Sequence, residues 1–149
     1  MKRHALSPIL ALFFVALLVT PAVLARDRRQ CTNRTVVGNW GYTATGIRTG
    51  VGPVAAVGTF TIDADGNVLD GRQTISFNGL VVQETYVGTY TLNEDCTGAA
   101  VLTVVSPVLN RTSHVSFVDV DDVNEERAIF TDPGTIITLE AKRLFSRSE

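Results

Sequence analysis

"RQTISFNGLVVQE", residues Arg72 to Glu84, is the stretch on which the fold turns. Gln73, Ile75 and Phe77 alternate with polar neighbours before Asn78-Gly79 interrupts the run, and Leu80 and Val82 resume it. Asn-Gly between alternating β-formers is a strong sign of a two-residue hairpin, because both residues accept a positive φ. Counting outward from that turn pairs Phe77 with Leu80, Ile75 with Val82 and Gln73 with Glu84. Two polar side chains therefore meet across the hairpin on an apolar face.

The same period of two runs through the chain from Arg34 onward. Val, Thr, Ile, Phe and Tyr dominate, and Gly, Asn and Asp punctuate about every ten residues. This predicts strands near 35–45, 54–62, 67–77, 80–92, 99–105, 112–119, 127–132 and 135–144. Asp63-Ala64-Asp65-Gly66 and Asp132-Pro133-Gly134 read as further turns. "GTFTIDADG" at 58–66 repeats as "GTYTLNEDCTG" at 88–98, so the second and fourth strands share one design. No helical pattern is visible in this region. Eight short strands on tight turns predict an all-β, single antiparallel up-and-down eight-stranded barrel, since closure removes the sheet edges. A sandwich would use longer crossovers.

The first 25 residues read differently. Lys2 and Arg3 precede an uncharged apolar run, Ile9 to Val19, then Thr20-Pro21 and the small residues before Ala25. That is a signal peptide over 1–25, cleaved after Ala25, leaving 26–149 as one β-barrel domain. The run is shorter than the roughly 20 residues that span a bilayer. The expected location is secreted or periplasmic. Arginines are scattered and the formal net charge is −2, so nucleic acid is not an expected partner, nor is a membrane after cleavage. Cys31 and Cys96 are the two cysteines, and in an oxidising compartment they read as a disulfide. Closing a loop of about 65 residues is worth about 4 kcal/mol in the chain-entropy model. The sequence says nothing about oligomeric state.

Trp40, the single tryptophan, lies on one face of the first strand with Val36, Gly38 and Tyr42. Gly38 there allows a neighbouring backbone to come close. On the last strand Ile137, Leu139, Ala141, Arg143 and Phe145 share a face, so Arg143 is a cation on an apolar side. Barrel closure makes these strands neighbours, and a guanidinium stacks well over an indole. Gly38-Asn39-Trp40 with Arg143 resembles the Gly-x-Trp plus late Arg signature of calycins, the lipocalin and avidin-like barrels. The resemblance implies a Trp that plugs one barrel end with the basic residue across it. The second lipocalin motif and the C-terminal helix are missing. The hairpin repeat also resembles bacterial allene oxide cyclase-like barrels. Both resemblances imply architecture and no catalytic residue.

Glu84 lies in phase with Leu80, Val82, Tyr86, Tyr90 and Leu92, and Gln73 with Leu69, Ile75 and Phe77. If these faces line the interior, Glu84, Gln73, Tyr86 and Tyr90 are the candidate ligand-binding residues, a few polar groups in an apolar pocket. The competing reading has the strand twist and Glu84 face water. Gly46 to Pro53 reads as a glycine-rich connection, which the lipocalin-like resemblance implies is the long loop over the open end; an ordinary flexible loop is the alternative. Asp119, Asp121, Asp122, Glu125 and Glu126 read as one solvated hairpin loop, without the spacing of a calcium site. Asn33-Arg34-Thr35 and Asn110-Arg111-Thr112 match the glycosylation pattern. His114 and Ser116 share a face, but the sequence places no acid with them. No catalytic residue, metal cluster or cofactor motif stands out. The leading expectation is a barrel that binds a small apolar molecule inside. A cofactor-free isomerase or cyclase using Glu84 or Tyr86 is second, and a side-chain-filled structural barrel third. A cavity above about 300 Å3 separates the first two from the third.

Overall fold

The computed structural model describes residues 30–145; the proposed signal segment lies outside them. Eight antiparallel strands follow one another in a closed barrel. They are β1 (Gly38–Arg48), β2 (Gly52–Ile62), β3 (Asn67–Phe77), β4 (Leu80–Leu92), β5 (Thr97–Val105), β6 (Arg111–Val120), β7 (Glu125–Phe130) and β8 (Thr135–Arg143). Each pairs with the next, and β8 closes on β1 with Trp40 opposite Arg143.

The Asn78-Gly79 turn forms with φ of 50° and 96°, both in the left-handed region, and sets the register Phe77↔Leu80, Ile75↔Val82, Gln73↔Glu84. The repeated segment also has one geometry. Asp63 N–H donates to Asn67 O after β2, and Asn93 N–H donates to Thr97 O after β4. Phe60 and Tyr90, the matching aromatics, are both buried.

Four sequence expectations change. β1 begins at Gly38 because Asn33–Val36 forms a single helical turn, α1, beside the barrel end. Gly46 to Pro53 is mostly strand, with only 49–51 left as a turn, so it is no long loop over the mouth. Leu69 points outward, 39% exposed, while Val68 takes the inner position. A register shift between Val68 and Gly71, with Asp70 at φ 51°, reverses the phase there. Gly71 then accepts the Tyr86 ring so closely that a Cβ would sit 2.4 Å from it.

The acidic segment is the fourth. Asp119, next to last in β6, and Glu126, second in β7, stand directly opposite each other. Both side chains are buried inside the barrel. Only Asp121 and Asp122 sit exposed in the turn. Glu125 is buried at the outer face against Arg127 and Lys142.

Candidate functional site

One end of the barrel is plugged. Cys31 and Cys96 are disulfide-bonded, with Cα atoms 5.1 Å apart, tying the segment before α1 to the β4–β5 turn. Trp40 is fully buried and stacks parallel to Phe60 at 6.3 Å between centroids. Its indole N–H donates to Val36 O at 3.0 Å. Arg143 lies over the indole, 4.8 Å from the ring centroid. The guanidinium donates to the carbonyls of Thr35, Val37 and Val123. It thereby fastens α1 and the β6–β7 turn to the barrel wall. Gly38 makes room for this side chain, not for a backbone: a Cβ there would lie 2.5 Å from Arg143 Nη1.

Inside, Glu84 is 3% exposed and belongs to a polar chain. Tyr42 Oη donates to Gln73 Oε1 at 2.6 Å, and Gln73 Nε2 donates to Glu84 Oε2 at 2.6 Å. Arg111 completes it with two 2.7 Å bonds, one to each Glu84 oxygen. Burial pushes the Glu84 carboxyl up, but bonds from Arg111, Ser106 and Gln73 outweigh it and hold the group below its ordinary value. A bidentate guanidinium on a buried carboxylate is a strong, directional pair. Burial also raises the Tyr42 hydroxyl to about 12.

Tyr86 and Tyr90 are buried as well, and both line the cavity. Tyr90 Oη donates to Asp63 O at 2.7 Å, and burial lifts its hydroxyl to about 12. Tyr86 Oη reaches Thr59 O at 3.4 Å, and burial lifts its hydroxyl strongly. The cavity has a volume of about 90 Å3. It extends from Arg48, Asp132 and Thr135 at one end to Ile62, Tyr90 and Glu126 at the other. That volume is well below the roughly 300 Å3 at which drug-sized ligand sites begin.

A second charged cluster lies deeper. Asp119 is 5% exposed, and neither of its carboxylate oxygens has a hydrogen-bond partner. Burial raises Asp119 to about 6 although Arg143 pulls it down. Glu126 lines the cavity, and burial, with Asp119 beside it, raises it to about 8. No group of three or more potential metal ligands occurs among the described residues. On the outer surface His114 Nδ1 lies 2.7 Å from Asp132 Oδ1, which supplies the acid that the sequence did not place. No hydrogen bond joins that ring to Ser116 among the described residues.

Arg111, Asp119 and Glu126 were not read as site residues. Alternation marked them: Arg111 is in phase with Ser113, Val115 and Phe117, and Glu126 with Ala128 and Phe130. Together the fold and site define a closed eight-stranded antiparallel barrel with one plugged end and a small, mostly apolar interior cavity. No family model, no curated protein and no solved structure matches the chain.

Proposed function

We propose that the protein is an exported barrel that binds a small, mainly apolar molecule in its interior. The observation that carries this reading is an interior cavity with a mostly apolar wall; at about 90 Å3 it falls below the roughly 300 Å3 expected of a hollow ligand barrel, so the reading holds only for an occupant much smaller than a drug-sized one. Its size limits the occupant to a few heavy atoms. The disulfide fits an oxidising destination, and the apolar run of residues 9–19 supplies a route to it. The Trp40–Arg143 stack at the plugged end supports a calycin-like architecture more than an allene oxide cyclase-like one.

A filled, purely structural barrel is the second reading. The satisfied Tyr42–Gln73–Glu84–Arg111 chain and the modest volume favour it. The isomerase reading is weaker, because both Glu84 oxygens are engaged by Arg111. A carboxylate held below its ordinary pKa by Arg111, Ser106 and Gln73 is a weak proton acceptor. An NMR titration with n-butanol separates the first two. Saturable shifts at Ala100, Val115 and Leu139, which line the cavity, support binding. An unchanged spectrum contradicts it.

A further inference from the structure

The inner end of the cavity has a carboxyl group, Glu126, in its wall and a second, buried one next to it. Two carboxyl groups, Asp119 and Glu126, face each other there as cross-strand neighbours. Arg143 is the cation beside them among the described residues, and it is stacked on Trp40 and bonded to three backbone carbonyls. The other interior carboxylate, Glu84, is neutralised by its own arginine. Asp119 is buried with both oxygens unpartnered. A buried acceptor without a donor is costly, and native proteins retain few of them. Glu126 beside it opens onto the cavity, whose wall includes Phe60, Tyr86, Tyr90 and Phe117. Carboxylates next to aromatic faces favour organic cations, which gain from both the charge and the ring quadrupoles.

We infer that the cavity takes a small amine, its ammonium head on Glu126 beside Asp119 and its apolar body among the aromatic rings. This rests on the reading of the interior as a ligand site and names the class of ligand. An ammonium donates up to three hydrogen bonds, enough for the Glu126 carboxylate on the cavity wall, while Asp119, its cross-strand neighbour behind that wall, adds a second carboxyl to attract it. In its absence the pair keeps a proton in place of the missing cation, consistent with burial raising Glu126 to about 8. Binding therefore exchanges a proton for an ammonium and releases that proton to solvent. The ionisable groups next to Glu126 are Asp119 from β6 and Tyr86 from β4, and Tyr90 from β4 and Arg143 at the end of β8 act on Asp119 in turn, with Tyr42 from β1 beyond Tyr86. The tyrosines stay neutral through the physiological range, because burial raises all three.

The test compares three probes of equal length, n-butylammonium, n-butanol and butyrate, by NMR titration of the disulfide-bonded protein. The expected order places butylammonium tightest, with its affinity rising between pH 6 and pH 9. Glu126→Gln should weaken butylammonium about tenfold or more, the value of a hydrogen bond to a charged group, and leave n-butanol unchanged. Asp119→Asn, which removes charge without removing volume, should weaken it in the same direction. Should Glu126→Gln fail to fold, the wild-type order of probes and Asp119→Asn still decide. If n-butanol or butyrate binds at the cavity as tightly as butylammonium, the amine proposal falls while the ligand-site reading stands. If none of the three moves the cavity resonances, both fall.

Discussion

Glu84 and Arg111 show how one buried charge depends on another. The Glu84 side chain is fully enclosed and that of Arg111 is 13% exposed, so removing either strands its partner away from water. Arg111→Met should destabilise the fold by about 3–5 kcal/mol, and Glu84→Met with Arg111→Met should cost less than the single change. Urea denaturation of both variants checks this; a single variant within about 0.5 kcal/mol of wild type would contradict it. Half of this pair was legible in the sequence. Gln73 and Glu84 are tied by a two-residue turn, so counting suffices. Arg111 comes from β6, two strands beyond β4, and only the curvature of the barrel brings it across. Glu126 gives a pH signature of the opposite kind. Its pKa of about 8 lies above the ordinary carboxylate value, so the folded state holds a proton that the unfolded chain has lost. Stability contributed by this group is full below about pH 4.5 and lost as pH rises toward 8, on the order of 1.4 kcal/mol per unit. Urea midpoints should therefore fall from pH 6 to pH 9 in wild type and fall less in Glu126→Gln.

At the scale of the strand and turn, two glycines separate conformational from steric demands. Gly79 has φ 96°, and a Cβ added there would meet nothing within 4 Å. Gly79→Ala should cost about 1–2 kcal/mol, the left-handed penalty alone. Gly71 has an ordinary φ, but its added Cβ would meet the Tyr86 ring at 2.4 Å and backbone at 2.6 Å. Gly71→Ala should cost more than Gly79→Ala, and equal costs by urea denaturation would contradict the ring-over-glycine packing. The strands themselves were readable to within a few residues, because alternation and turn residues are local signals. The phase of Leu69 was not, since the irregularity at Asp70 adds a residue without any distinctive side chain. The acidic segment was misread for a related reason. Five acids in eight positions look solvated, yet strand register turns two of them inward.

The whole molecule is a barrel plugged at one end by α1, Trp40, Arg143 and a disulfide. The Cys31–Cys96 bond closes β1 to β4, half of the strands, into a loop, with a sequence separation of 65. Replacing both cysteines by serine should cost about 4 kcal/mol, read as a lowered urea midpoint, and thiol titration of denatured, unreduced protein should find no free thiol. Closure and strand order follow from periodicity and turn chemistry, and the disulfide from two thiols, all visible in the sequence; the plug is implied only by the resemblance to calycins, and its helical turn α1 leaves no periodic signal. The interior volume is not visible there, because it is a small difference between the space a barrel encloses and the volume of every side chain pointing into it. The central claim concerns that remaining space. Its most direct test is native mass spectrometry of the protein purified from its source. The account predicts a population heavier than the disulfide-bonded chain by the mass of one small molecule, which dissociates on activation. The chain mass alone, in every charge state and under the gentlest conditions, would contradict it.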